Sequence, residues 1–489
     1  VRSEHHELLK LSIFFALENT TYRLNECQVN QAEIDFSIDG IATIAWSGNS
    51  TTIDQITTPM EDPNTAYSSV AGDTGGAYSA NATINNAEAF NYVDTTGPDD
   101  ADYLIINTCG FLESAREESI DVILEAAELK KKNKAQKLIV MGCFSDRYAP
   151  ELIEELPEVD AFFGTNDHIE VMSYLTGKTF SKSDPDYFRS ILTPAHYGYL
   201  KIAEGCDNGC SFCSIPIMRG LQKSQPVAWN VQEAKRLAEN GLKELLVIAQ
   251  DSTSYGWDLS PKSSLHQLMD ELNKIEEISW IRLHYAHPAH LHREMIQRFA
   301  KLEKLVPYID MPVQHGSDDV LKRMRRGLKS DGIRKRIETL RILNPEISIR
   351  TSIIVGFPGE TEKEFQELYN FVEEIEFDRL GVFTYSEEEG TFGATLKDDV
   401  PISVKTERMD EIMLLQQEIN LKKNKKLVGN IEKVLIDLNT DDEKSIGRSY
   451  RDAPEVDNCV IIDEKLPVGE FVDVEIISAT EYEVIGKII

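Results

Sequence analysis

Cys206, Cys210 and Cys213 stand in a Cys-x3-Cys-x2-Cys spacing within the stretch Glu204-Gly-Cys-Asp-Asn-Gly-Cys-Ser-Phe-Cys213. Three thiolates on one short loop can hold three corners of an iron–sulfur cube and leave the fourth iron without a protein ligand, free to take a small molecule. A closed structural zinc site is the plainer alternative. It needs four ligands, usually as two pairs, and no second cysteine pair or nearby His-x3-His follows. Cys109, in Asn107-Thr-Cys-Gly-Phe111, and Cys143, in Met141-Gly-Cys-Phe144, each come just after a strand-like run. In a parallel sheet such loops emerge on one edge, where the two thiols can converge. Two separate, buried, inert cysteines are the other reading of the same residues.

The elements that must position these thiols follow from periodicity. Tyr103–Asn107, Lys137–Met141 and Val159–Phe163 read as strands, with helices over Glu113–Lys132 and Pro150–Leu156 between them. The first helix carries acids at its start and lysines at its end, matching the helix dipole. This order implies a small parallel α/β domain over residues 99–180, followed by a polar linker over 181–196. Strand candidates then recur at Leu200–Ala203, Glu244–Ile248, Trp280–Leu283, Tyr308–Met311, Ile347–Val355 and Leu380–Phe383, separated by helical runs. Six βα units predict a partial (βα)6 barrel over residues 192–420, with its site at the C-terminal strand ends, where the Cys206 loop falls. Gln250, Asp251, Arg350 and Gly356 sit at or near such ends. Gly356 and Gly359 permit close backbone approach, and Thr361-x-x-Glu364 reads as a capping box. Gln314-His315 is similarly placed, although a lone histidine there is more often structural. Arg408–Lys426 reads as a connecting helix. Lys433–Ile436, Cys459–Ile462, Phe471–Ile476 and Tyr482–Ile485 predict a small closed β-barrel over residues 421–489.

Residues 1–98 differ in character. They are rich in Thr, Ser, Asn, Ala and Gly, with a β-hairpin expected over Ile34–Trp46 and loop-like sequence over 47–98. Leu8–Leu17 reads as a core helix or strand rather than a signal peptide, since His5, His6 and Glu7 precede it. No apolar run approaches the ~20 residues that span a bilayer, and a cytoplasmic protein is expected. Of the 489 residues, 41% are hydrophobic and 27% charged, ordinary for a soluble chain, and seven are cysteines whose clustering argues for metal ligation in a reducing compartment rather than disulfides. The net charge of −32 disfavours a phosphate backbone as partner and favours a basic protein.

The cysteine loop resembles that of the radical S-adenosylmethionine (SAM) enzymes, in which the open iron takes SAM. The run of NTCGF, AREESID, MGCFSDRY and the EGC loop resembles the methylthiotransferase branch of those enzymes. Within the branch, Ile215–Gly220, Ile248–Gly256 and Gly447–Asp457 are similar to the group acting on ribosomal protein S12. The resemblance covers roughly residues 100–489. It implies two [4Fe–4S] clusters, one on Cys206, Cys210 and Cys213, the other on Cys109, Cys143 and a third cysteine. It also implies SAM bordered by Gln250, Asp251, Arg350 and Gly356, a low-potential electron donor of flavodoxin or ferredoxin type, and a C-terminal TRAM module. Cys27 is the only cysteine upstream of Cys109, at a spacing that suits the family only if an insertion lies between, and Glu26 stands where the family has glycine. The acidic residues of the C-terminal module, from Asp437 to Glu464, oppose RNA binding. A tRNA-modifying methylthiotransferase and a catalytically impaired binding protein with a single cluster are the alternatives. No side chain is assigned as acid, base or nucleophile.

Overall fold

A computed structural model describes the strands β1 (Lys10–Leu17), β2 (Thr20–Phe36), β3 (Ala42–Asn49) and β4 (Thr52–Ile56), and residues 102–133, 137–179 and 193–489. The chain divides into two units: Val1–Asn86 with Tyr92–Asp100, and Ala87–Asn91 with Ala101–Ile489. In the first unit, β1 to β4 form an antiparallel sheet in which β2 pairs with the other three. Ile34 lies opposite Ile44, the hairpin pairing that the alternation suggested, and Cys27 lies opposite Leu11. Thr52–Ile56 is a strand inside a stretch read as loop-like. Of the stretch 47–98 expected to be loop-like, residues 57–98 lie outside the described residues, as do residues 181–192 of the linker expected over 181–196.

The second unit begins with three parallel strands, β5 (Tyr103–Thr108), β6 (Lys137–Gly142) and β7 (Ala161–Phe163). Helix α1 (Glu113–Asn133) returns the chain from β5 to β6. Helix α2 (Cys143–Glu155) starts on the cysteine itself, earlier than the sequence suggested, and is broken at Tyr148, two residues before Pro150. Register fixes the functional edge: Thr108 pairs with Gly142, so Cys109 and Cys143 leave adjacent strands at one level.

Six parallel strands follow, in the order β15-β14-β13-β12-β11-β8. They are β8 (Tyr197–Lys201), β11 (Glu244–Ile248), β12 (Trp280–Leu283), β13 (Leu305–Asp310), β14 (Ser348–Val355) and β15 (Arg379–Thr384). A two-stranded ribbon, β9 (Ala203–Glu204) with β10 (Lys223–Ser224), brackets the cysteine loop. Leu245, Val247, Ile281, Leu283, Ile309, Ile349 and Ile353 are fully buried against the outer helices. The alternate residues line the inner face and include Glu244, Arg282, Tyr308 and Arg350 beside the apolar Leu246. The period of two thus sorts an oily outside from a charged lumen. The capping box is present, with Thr361 accepting from the Glu364 amide and Glu364 from the Thr361 amide.

The C-terminal strands β16 (Ile431–Asn439), β17 (Ser445–Arg448), β18 (Cys459–Ile462), β19 (Phe471–Ala479) and β20 (Glu483–Ile488) close into a barrel around Val434, Ile436, Val460, Val474 and Ile476. Its segment 447–458 meets the N-terminal end of the six-stranded sheet. Arg448 pairs with Glu244 at 2.7 Å and with Asp437 at 2.6 Å, and Glu244 also takes Arg282 at 2.7 Å. Arg379 pairs with Asp452, and Tyr308 donates to Asp457 at 2.7 Å.

Candidate iron–sulfur and substrate site

The cysteine loop leaves β9 through Gly205, whose φ of +78° and near contact with the Leu221 carbonyl leave no room for a Cβ. The Cys206 amide donates to the Gly220 carbonyl at 3.1 Å, tying the loop's entry to the ribbon. Its far end is held by the Ser211 amide, which donates to the Met324 carbonyl at 3.1 Å, and by the Ser211 hydroxyl on the Arg323 carbonyl. Cys206 is buried, and Cys210 and Cys213 are half-buried. Burial pushes the Cys213 thiol up to about 12, reinforced by its neighbours Cys210 and Cys206, and burial likewise pushes up Cys206. Thiols held this way ionise only against a bound cation, which is what metal ligation supplies. Two donors already point at sulfur: Asn208 Nδ2 at 3.3 Å from Cys206 Sγ, and Arg326 Nη1 at 3.1 Å from Cys210 Sγ. Hydrogen bonds to ligating sulfurs tune iron–sulfur centres, so the donor types suit the cube, while among the described residues no three His, Cys, Asp or Glu side chains stand grouped to hold a metal ion.

Around the loop, Asn208 also donates to Asp251 at 2.9 Å, and Asp251 takes His290 at 2.7 Å and Thr253. Burial would raise the Asp251 carboxyl, but the hydrogen bonds from His290 and Thr253 outweigh it and hold the group well below the usual range. Glu204 is buried among Lys201, Arg219 at 2.9 Å and Gln250 at 2.9 Å. The Gln250 carbonyl oxygen and the Ser252 hydroxyl are buried without a partner, atoms that a bound polar ligand would satisfy.

The second pair of thiols lies beside this site. Cys143 is buried at the start of α2, and Cys109 is exposed, its amide held by Ser119 at 3.2 Å. Arg219 hydrogen-bonds Glu204, and its charge also bears on the Cys143 thiol, so one guanidinium stands near both sets of cysteines. The convergence left open by the sequence is therefore what parallel register produces. Cys27, the third candidate, lies in β2 of the other unit, and its side chain is outside the described residues. Among the described residues the second site has two thiols, fewer than the three expected to hold a cube.

Three family models match the chain: the radical SAM superfamily over residues 200–372, the TRAM domain over 428–489, and the uncharacterized protein family UPF0004 over 75–164. Among curated relatives, a "ribosomal protein uS12 methylthiotransferase RimO" of Anaeromyxobacter sp. (strain Fw109-5) is 45% identical over 404 residues, covering 80% of this chain and 86% of the relative. The RimO of Christiangramia forsetii is 44% identical, covering 81% of this chain and 88% of the relative. That of Prosthecochloris aestuarii is 45% identical, covering 83% and 94%. The chain belongs to the RimO family. It is a radical SAM methylthiotransferase, and the superfamily it matches implies a [4Fe–4S] cluster and SAM. The UPF0004 match begins at residue 75, so Cys27 lies outside it.

With the RimO family established, each expected residue can be placed. Gln250 and Asp251 come to the cysteine loop through Glu204 and Asn208. Gly356 has a φ of +72°, its amide donates to Glu360 at 2.8 Å, and a Cβ there would meet Lys405. Its neighbour Phe357 packs with Phe212 of the cysteine loop and with Tyr385. Arg350, expected to border SAM, lies two residues into β14, between Asp310 at 3.2 Å and Asp457 at 3.3 Å. The C-terminal module supplies Asp457, a partner that no local pattern reveals. His315 is buried and accepts from the Ser317 amide at 2.9 Å, a structural role. Sequence reasoning missed Asn208, Arg219 and Arg326. Asn208 was legible as a donor inside the motif. Arg326 stands 116 residues from Cys210, and nothing local signals it.

Proposed function

We propose that this chain attaches a methylthio group to the β-carbon of an aspartate in ribosomal protein S12, the protein named in its relatives' description. The reading rests on collinear likeness across most of those relatives' length, joined to a loop whose three thiols already have sulfur-directed donors. Cys206, Cys210 and Cys213 would hold the cluster, with Gln250 and Asp251 bordering SAM and Gly356 closing the neighbouring turn. When bound, these cofactors supply a radical able to take hydrogen from an unactivated carbon, which no side-chain base does at neutral pH. The protein's part is positioning. Asn208 and Arg326 orient the sulfurs, Glu204 ties Lys201, Arg219 and Gln250 into one network beside them, and Phe212 with Phe357 shields the loop's other flank.

The acidic surface of the C-terminal barrel, including Asp441, Asp442, Glu443, Asp463 and Glu464, suits a lysine- and arginine-rich partner better than RNA. A low-potential flavodoxin- or ferredoxin-type donor would supply electrons. The donor types suit one cube on the Cys206 loop. Among the described residues Cys109 and Cys143 are two ligands where a second cube takes three, which favours a second reading: an enzyme that cleaves SAM but transfers sulfur poorly. Incubation with S12, SAM and reductant under anaerobic conditions, followed by peptide mass spectrometry, tests the proposal through a methylthio increment on one aspartate. Iron analysis separates the readings, with about eight irons per chain for two cubes and about four for one.

A further inference from the structure

In a chain of net charge −32, one run has the opposite sign: Lys322-Arg-Met-Arg-Arg-Gly-Leu-Lys-Ser-Asp-Gly-Ile-Arg-Lys-Arg336. It joins the short helix Asp318–Arg323 to the helix Ser330–Leu343. Part of its charge is spent on nearby acids. Arg323 takes Glu364 at 2.7 Å, Arg334 takes Glu374 at 2.8 Å, Lys335 takes Asp331 at 2.7 Å, and Lys329 reaches Asp318 at 3.7 Å. Among the described residues, Lys322, Arg325 and Arg336 have no carboxylate within ion-pair distance. Lys322 and Arg325 are exposed. Arg336 is half-buried, with its Nη2 on the Ala289 carbonyl at 3.3 Å. Asp319, exposed one turn before Lys322, is the acid of the adjoining helix left to set against them.

This run lies against the cysteine loop. Arg326, between the unpaired cations, is buried and places its Nη1 3.1 Å from Cys210 Sγ. Arg325 has a φ of +56° and lays its guanidinium 3.7 Å from the centre of the Phe392 ring, which is itself exposed. Gly393, next to Phe392, donates its amide to the Ser211 carbonyl of the loop. On the other flank, a Cβ on Gly327 would stand 3.8 Å from the Cβ of Ala289, the residue whose carbonyl takes Arg336. The local field is positive. Burial first, then Arg326 and, more weakly, Arg336 push the His287 imidazole down to about 3, against the opposing charge of Asp251. Within the loop Asp207 and Gly209 are exposed and Cys210 is half-buried, so the loop reaches solvent beside these cations.

We propose that this basic face, formed by Lys322, Arg325 and Arg336 with the exposed Phe392 ring, is where a small acidic electron-transfer protein docks to deliver electrons to the Cys206–Cys213 loop. The inference rests on the cluster and low-potential donor of the reading above, and goes beyond it in naming the face and the sign of the partner. The occupant follows from charge. An acidic protein is repelled by the rest of this chain, so its encounters concentrate where the potential is positive. A basic substrate protein is repelled from the same face and drawn to the acidic surfaces, so donor and substrate need not compete. Each encounter moves one electron: the donor's flavin hydroquinone is oxidised to the semiquinone, the cluster takes the electron, and no bond to the protein forms or breaks.

The probe is an acidic flavodoxin. Its oxidised form is titrated into the reconstituted full-length protein by calorimetry, and its reduced form is mixed with the same protein while stopped-flow absorbance follows cluster reduction. Wild type is expected to bind at low salt and to lose affinity roughly tenfold as salt approaches about 0.3 M. Lys322→Glu combined with Arg325→Glu should weaken binding and slow reduction roughly 10- to 100-fold at low salt, and flatten the salt dependence. Arg336→Gln should act in the same direction, more weakly. Reduction by photoexcited deazariboflavin, which is uncharged, should be equal in all of them, with thermal melting confirming each fold. Lys131→Glu, an exposed reversal on α1, should match wild type. A double variant that binds flavodoxin and is reduced by it as wild type is, or a Lys131→Glu that loses as much, overturns the inference alone. So does a face that takes a single-stranded RNA oligomer in place of flavodoxin. Wild type that carries no cluster, or whose cluster deazariboflavin does not reduce, overturns the cluster reading and the inference with it.

Discussion

The two ends of the six-stranded sheet are built on opposite principles. At the N-terminal end, charge meets charge: Glu244 is shared by Arg282 and Arg448, Arg379 takes Asp452, and His196 takes Asp437 at 2.9 Å. These groups are buried and ion-paired, Arg282 Nη2 alone among them lacking a partner, and they lock the C-terminal barrel onto the core. At the C-terminal end, Gln250 Oε1 and Ser252 Oγ are buried and unmatched, and the Cys206 and Cys213 thiols are driven toward the neutral form by burial. One end spends its polar groups on stability; the other leaves them bare for ligands. Active ends commonly carry this strain, held in place by the rest of the fold.

Breaking the ligand end should give the largest effect. Cys206→Ser, Cys210→Ser or Cys213→Ser should abolish the visible absorption of the reconstituted cluster and all SAM cleavage, measured by spectroscopy and by 5′-deoxyadenosine release. The fold should survive, since these thiols carry no packing load comparable to the core.

Breaking the stability end should do the reverse. Glu244→Gln leaves two buried guanidinium groups facing one neutral amide. Unfolding free energy should fall by about 3–5 kcal/mol, read by denaturant titration, while cluster absorption per folded molecule stays the same.

A smaller change sharpens the contrast from the ligand side. Asn208→Ala removes the donor shared by Cys206 Sγ and Asp251. Loss of such a supporting hydrogen bond should speed iron release to a chelator roughly tenfold, with no measurable change in melting temperature.

The smallest effect belongs to neither end. Burial would raise Glu364, but Arg323 at 2.7 Å and the Thr361 hydrogen bonds outweigh it and bring the carboxyl to about 2. A depressed carboxyl stabilises the fold above its unfolded pKa of about 4.3 and loses that contribution as pH falls toward 2. Glu364→Gln should therefore cost roughly 0.5–1 kcal/mol at pH 7 and nothing near pH 2, checked by urea unfolding at both.

Glu244–Ile248, Trp280–Leu283 and Cys459–Ile462 were legible residue for residue, because β-branched and leucine runs between turn signals mark strands without help from context. The strand Ser445–Arg448 was not. It was not among the expected strands, and it is one because Arg448 is drawn onto Glu244 and Asp437 while Gly447 packs where a Cβ would strike the Leu435 carbonyl. Arg350 shows the same limit, since its ion pair with Asp457 comes from a module a hundred residues on, which nothing near it in the chain signals.

By itself the sequence determined the cysteine spacing, the strand-then-helix rhythm and the family, since each is written in residues within a few positions of one another. Tertiary structure decided which groups serve the thiols and which serve the scaffold. Arg326 on Cys210, Arg219 on Glu204 near Cys143, and Asp310 beside His284 are contacts across parallel strands and loops far apart in the chain. Spacing is a local property of the chain, whereas the partner of a buried charge is set by whichever distant group the packed sheet brings within a few ångströms.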